Sequence, residues 1–400
     1  MKILLGGVPF GCDNIGDEAI LASVIGLVRG ICPDAELVVS TGDRAGTERK
    51  FGVKTVPLYG FDPAVPAERL SEALDGVDYY IWAGATGLSD YPEMACTLLE
   101  TAQARGVRTI VWGVGMNDVF NPYFFTLHGK KKRIADTLKS CFGFDLEKRW
   151  TKRRVAAVRQ RLANTLGRCE LVVLRDRKSL DVLRKCAPFP DAVAGADTAI
   201  LQKQCAPEAL PWSESERDLF RSSSIRMAVC VSEQNRIREF GEFTGWLDRM
   251  VETHPGLLAV TIPMNPKNDF RVMEEMKQRS KHPDRILSLR FLEPEEVQAV
   301  AAECSVIVSS RLHLLILGLN NLVPGVGIAR GSKIEQFLSL FGLTTAGTTD
   351  ALDLPRLTGS VERALAHQDE FKRRAASVRS GMLEDLDRAK ERLKQTLAAP

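Results

Sequence analysis

Short apolar runs rich in Val and Ile alternate with stretches of helical periodicity along almost the whole chain, and no other feature restricts the fold as severely. The runs at 2–7, 36–40, 54–58, 79–83, 109–113 and 171–174 are too short and too uniformly apolar for one-sided strands. They read as strands buried on both faces of a parallel sheet. Helical stretches at 17–28, 67–74, 93–105 and 179–185 separate them. A second series follows, with strands at 227–231, 257–262, 286–289, 306–308 and 326–328 and helices at 240–253, 270–279, 294–303 and 314–319. The alternation implies an α/β fold of two doubly wound halves, each on a parallel sheet, expected to face each other across a cleft.

The boundaries follow from where the alternation fails. The first domain is expected at 1–206, with a basic helical insertion at 121–168 that carries GKKKR and KRWTKRR. The polar, proline-containing segment 207–224 reads as a linker, 225–350 as the second domain, and 351–400 as a charged helical tail packing back across both. At 400 residues the chain exceeds what one core usually organises.

A net charge of +3 is too small to argue for nucleic acid or an anionic membrane, so no nucleic-acid partner is expected and any basicity that matters must be local. The nine cysteines are scattered, with no Cys-x-x-Cys pair, as in a reducing compartment. No apolar run reaches membrane-spanning length. The protein is expected in the cytoplasm, peripheral at the inner face of the membrane if the basic run 129–154 makes membrane contact. A charge run of that kind is more often a solvated helix face.

Chemistry is expected where strands give way to helices, because that edge of a parallel sheet is where open α/β folds bind ligands. After the strand at 306–308 come Ser309, Ser310, Arg311 and His313; after the strand at 326–328 come Arg330, Gly331, Ser332 and Lys333. No acidic residue lies between Glu303 and Glu335. That cationic excess suits an anionic ligand carrying phosphate or carboxylate. Near the N-terminus, GVPFGCDNIGDE holds Asn14, Gly16, Asp17 and Glu18. Asn14 or Asp17 can cap the following helix, while the glycines point to close approach of a ligand to the backbone.

Together these residues resemble the polysaccharide pyruvyl transferase family. Asn14, Gly16, Asp17, Glu18, Ala19, Ile20 and Leu21 match its N-x-G-D-E-A-I-L start, and Arg175, Asp176 and Ser179 its R-D-x-x-S element. Asp197 matches the aspartate after it, and Pro263 and Asp269 an I-P-x…D stretch. Ser310, Arg311, His313, Pro324 and Lys333 match the S-x-R-x-H…P…K signature. The chain departs from the family pattern at Ala83-Gly84-Ala85, at Asn265 and at Arg330-Gly331.

The resemblance implies two Rossmann-like domains, an architecture similar to the B-type glycosyltransferases, and a transfer of pyruvate from phosphoenolpyruvate to a sugar hydroxyl pair as a ketal, in cell-surface polysaccharide biosynthesis. The partners implied are phosphoenolpyruvate as donor substrate and a saccharide or lipid-linked saccharide as acceptor, with no cofactor and no metal. His313 is then the acid, with Asp17 or Glu18 as base or acceptor ligand brought across the cleft. Arg311 and Lys333 hold the donor, helped by Arg175 from the other domain, with Asn14, Gly16, Ser310 and Arg330 as further binding residues. On this reading Arg311→Lys weakens donor binding at little cost in stability. The rival readings are a nucleotide-sugar glycosyltransferase of the same architecture and a non-catalytic ligand-binding relative.

Overall fold

The computed structural model describes residues 1–186, 189 and 191–398, in two compact units each built on one parallel sheet. The first unit comprises residues 1–11, 25–197 and the chain from 385 onward. Its strands are β1 (Lys2–Gly6), β2 (Glu36–Thr41), β3 (Lys54–Pro57), β4 (Tyr79–Ala83), β5 (Arg108–Val114), β6 (Leu171–Leu174) and β7 (Val193–Ala194), in the order β3-β2-β1-β4-β5-β6-β7. The second unit comprises 12–24 and 198–384. It holds β8 (Ile225–Cys230), β9 (Leu257–Thr261), β10 (Ile286–Ser288), β11 (Val306–Ser309) and β12 (Gly325–Gly327), in the order β10-β9-β8-β11-β12. Strands such as ELVVST, YYIWA, LLAVT and VIVS are buried almost end to end, as a sheet covered by helices on both faces requires. Strand order reverses between β1 and β4 in one sheet and between β8 and β11 in the other, and a crevice for ligand opens at such a point.

The compact units do not follow the boundaries expected from sequence. Residues 12–24, and with them the first turns of the helix Ile15–Ile31, group with the second unit rather than the first, and so do residues 198–206. The anchor is specific: the Ile15 N–H donates to the Met264 carbonyl at 3.0 Å, and Lys267 pairs with Asp13 at 2.5 Å. The segment 207–224 is not an open linker. It contains the helix Glu214–Ser222, started by a reciprocal capping box between Ser213 and Glu216 and seated by Phe220, which is buried against Trp212. Composition suggested a linker because its polar residues outnumber the few apolar ones, Leu210, Trp212 and Phe220, that seat it.

The basic segment 121–168 forms the helices Gly129–Phe142 and Leu146–Leu166 of the first unit. Val158, Leu162 and Leu166 enter that unit's core and Arg161 pairs with Glu100 at 2.6 Å, so the second half of the longer helix is fixed, while the first half is only partly covered, with Lys148, Arg149, Lys152 and Arg153 exposed. In the tail, the helices Leu354–Ala366 and Gln368–Ala398 belong to the second unit as far as Glu384. From Asp385 the chain belongs to the first, where Tyr79 Oη donates to the Thr396 carbonyl. Residues 399 and 400 of the expected tail lie outside the described residues.

Candidate active site

In the second unit the ends of β8 and β11 are tied together before any side chain reaches a ligand. The Ser310 N–H donates to the Cys230 carbonyl and the Ser232 N–H donates to Ser310 Oγ, both at 2.9 Å, so buried Ser310 is part of the frame at the switch point. Ser309 Oγ accepts from the Arg311 N–H at 2.9 Å and shapes the turn into the helix Leu312–Asn320.

Arg311 does not stand unneutralised, as the local sequence suggested. Its Nε and Nη2 donate at 2.9 and 2.7 Å to the two carboxylate oxygens of Asp269, which is fully buried. Asp269 also accepts from the backbone N–H groups of Glu233 and Asn265, at 3.1 and 3.0 Å. Four donors, two of them on a guanidinium fork, satisfy one carboxylate at the first turn of the helix Asp269–Arg279, where the dipole also favours an anion. A lysine cannot reproduce that fork, so Arg311→Lys carries a stability cost that sequence reasoning missed. The neutralising acid lies 42 residues away in sequence, which is why the run between Glu303 and Glu335 gave no sign of it.

Arg330, beyond the end of β12, has no such carboxylate. Its Nη2 reaches Asn235 Oδ1 only at 3.4 Å and its Nε is buried with no hydrogen-bond acceptor. Burial, and then the neighbouring Arg311, push its pKa down to about 10, and Asp269 offsets part of this. Two guanidiniums therefore share the field of one carboxylate, leaving a net positive charge in a desolvated place. Lys333 lies one residue further on than the start of the helix Ser332–Leu340. Neither that helix nor Leu312–Asn320 is closed by a hydrogen bond from its N-cap side chain. Two helix N-termini and the basic residues thus sit at one sheet edge, an arrangement suited to phosphate or carboxylate.

The N-terminal motif meets this edge within the same unit. Asn14 is the cap of the helix Ile15–Ile31: its Oδ1 accepts from the Gly16 N–H at 3.2 Å, and its Nδ2 donates to Asp17 Oδ2 at 2.6 Å, holding that buried carboxylate in the first turn. Gly16 is closed against His313, and a Cβ there would overlap the imidazole at Nδ1. The close approach that the glycine signals is thus to the protein's own histidine, not to a ligand. Glu18, half-buried, follows on the same turn. The acidic character of this turn is felt by Cys12, whose thiol is pushed up by burial first and then by Glu18, Asp17 and Asp13. Asn14, Gly16, Asp17, Glu18, Ser310, Arg311, His313, Arg330 and Lys333 all belong to the second unit.

Arg175 belongs to the first unit, beyond β6. It is buried beside Asp176 at 3.2 Å and Asp197 at 3.8 Å, and its guanidinium covers Gly115 so closely that no side chain fits there. Asp176 Oδ1 caps the helix Arg177–Arg184 through the Ser179 N–H, and Ser179 Oγ accepts from the Met116 N–H at 3.0 Å.

A sequence model of the polysaccharide pyruvyl transferase family matches residues 14–332, from Asn14 to Ser332, the first residue of the helix that carries Lys333. The chain belongs to that family. No curated protein sequence matches it. Among solved structures, a putative UDP-N-acetylglucosamine 2-epimerase from Listeria monocytogenes is similar, with a TM-score of 0.67 at 11% identity over 99% of this chain and 96% of that one. The UDP-GlcNAc 2-epimerase from Neisseria meningitidis, bound to UDP-GlcNAc, aligns with a TM-score of 0.60 at 12% identity over 99% of each chain. A UDP-glucose: anthocyanidin 3-O-glucosyltransferase in complex with UDP gives 0.57 at 12% over 100% of this chain and 99% of that one. At such identities the likeness concerns the fold: this pyruvyl transferase family member has the two-domain α/β architecture of B-type glycosyltransferases and epimerases.

Proposed function

We propose that the protein transfers the pyruvyl group of phosphoenolpyruvate to two hydroxyls of one sugar, forming a ketal and releasing phosphate. In the reaction the donor's methylene carbon takes a proton and becomes a methyl group, and a sugar hydroxyl oxygen bonds to the adjacent carbon. The second hydroxyl then displaces phosphate at that carbon. One hydroxyl proton replaces the proton given to the methylene, and the other leaves with the phosphate. His313 supplies the first proton. Asp17 or Glu18, on the turn that packs against His313, takes the hydroxyl proton or orients the acceptor. Arg330, Lys333 and the two helix N-termini hold the donor's anionic groups, and Arg311 is held in place by Asp269.

The observation that carries this reading is the packing of Gly16 on His313, which joins the acidic first turn to the basic signature in a member of a pyruvyl-transferring family. The test is release of phosphate from phosphoenolpyruvate with a panel of saccharide and lipid-linked acceptors, products being identified by mass spectrometry. A gain of 70 mass units would not be seen if the donor were a nucleotide sugar, and a melting temperature raised by UDP-N-acetylglucosamine but not by phosphoenolpyruvate would refute the proposal. A general acid must be protonated, so wild-type turnover is expected to fall on the alkaline side, and His313→Gln to lose that limb.

A further inference from the structure

The charge of the chain is concentrated in one place. Residues 119–154 carry ten Lys and Arg against three Asp and Glu, a net +7, whereas the whole chain is +3 and everything outside this segment is therefore net −4. The same 36 residues also hold four of the nine large hydrophobics that lie exposed among the described residues: Val119 at 70%, Tyr123 at 68%, Ile134 at 58% and Phe144 at 42%. A solvated helix face explains the lysines and arginines but not the apolar side chains set among them.

Their order along the helix Gly129–Phe142 is specific. Tyr123 rests on His128, just before the helix begins, with ring centroids 5.1 Å apart. Lys130 and Lys131 then precede Ile134 by four and three residues, so they share its face, and Ala135 turns inward. Phe144 follows in the turn to the next helix, with the Arg149 guanidinium over its ring at 5.1 Å. Apolar groups thus stand before, on and after a helix about 21 Å long, with cations between them. Lys132 and Lys139 are engaged with Glu147 and Asp145. Lys130, Lys131, Arg133, Lys148 and Arg153 are exposed.

We propose that this face of the first unit docks on an anionic phospholipid bilayer. Basic residues draw it to the negative surface, and Tyr123, Ile134 and Phe144 enter the headgroup region, the two signals that a lasting interfacial attachment needs. Other polyanions would use the cations and leave the apolar groups in water. No helix among the described residues is long and apolar enough to cross a membrane, so attachment of this kind lies on the surface.

The test is sedimentation of the full-length protein with vesicles of phosphatidylcholine alone and with about a third phosphatidylglycerol, at roughly 0.1 M salt. Binding to the anionic vesicles only is expected. Lys130→Ala, Lys131→Ala and Arg133→Ala combined should lower the partition coefficient roughly a hundredfold with an unchanged melting temperature. If that variant does not fold, Lys148→Ala, Arg149→Ala and Arg153→Ala on the neighbouring helix provide the same reading. Ile134→Ser with Phe144→Ser keeps every charge and should still weaken binding about tenfold or more. Equal binding to both vesicle types, variants that bind as wild type, or tighter binding to duplex DNA than to anionic vesicles would each overturn the proposal.

Discussion

Two arginines at strand ends, one in each unit, are held in opposite ways. Arg175 lies against the backbone of Gly115 with its carboxylates at 3.2 and 3.8 Å, and Asp176 divides its oxygens between the arginine and the cap of the next helix. Arg311 is gripped by both oxygens of one fully buried carboxylate that two backbone N–H groups also hold. The first arrangement fixes a loop and leaves the guanidinium loosely paired. The second fixes the guanidinium itself and leaves the neighbouring Arg330 to carry the uncompensated charge. Two arginines matched to one family pattern therefore have different physical roles, and the difference lies in where the nearest carboxylate comes from.

The comparison is broken most severely at His313, which meets the first turn of the Ile15–Ile31 helix only in the second unit. His313→Gln should fold and bind phosphoenolpyruvate while turnover drops roughly a hundred- to ten-thousandfold, as read by steady-state phosphate release. An unchanged turnover would return the histidine to a packing role. Asp269→Ala leaves the Arg311 guanidinium without its partner. Urea unfolding should show a loss of about 3–5 kcal/mol, which Arg311→Met in the same chain should partly restore. If the single variant is as stable as wild type, the two arginines are not held differently after all.

Gly16→Ala comes next, because the added methyl must displace His313 or the helix start. About 1–3 kcal/mol of stability is expected to be lost together with activity, whereas Gly26→Ala on the same helix, where a Cβ meets nothing, should cost neither. Arg330→Met sharpens the contrast from the other side. Removing the charge that has no carboxylate should weaken phosphoenolpyruvate binding by about tenfold to a hundredfold and leave unfolding unchanged or slightly improved, measured by calorimetric titration and urea melts. The smallest effect belongs to the first unit: Asp176→Ala removes a helix cap worth about 1 kcal/mol and the nearer carboxylate of Arg175, which Asp197 still neutralises, visible as a small shift of the urea midpoint.

The local alternation of strand and helix was legible almost residue by residue, since β4, β6 and the helix Phe240–Thr253 have the bounds that burial periodicity predicts. Sequence periodicity missed elements whose stability does not come from an apolar face. The helix Arg44–Phe51 buries only Thr47 and is held by an Asp43 cap and a left-handed Gly52, and Glu214–Ser222 rests on a capping box and one phenylalanine. Of the candidate site, the basic signature and the acidic first turn were readable because each is contiguous in the chain and ends a strand or starts a helix.

What sequence alone determined is the set of contiguous pieces: buried strands, their helices, and the polar groups at their junctions, all of which follow from interactions over a few residues. Which piece belongs with which was decided only by tertiary structure. Met264 draws the first turn of an N-terminal helix into the second unit, His313 needs a glycine nearly 300 residues earlier to lie where it does, and Asp269 takes the charge of Arg311 from a different strand end. Contacts of that separation depend on where whole sheets place their edges, and no window of sequence contains that information.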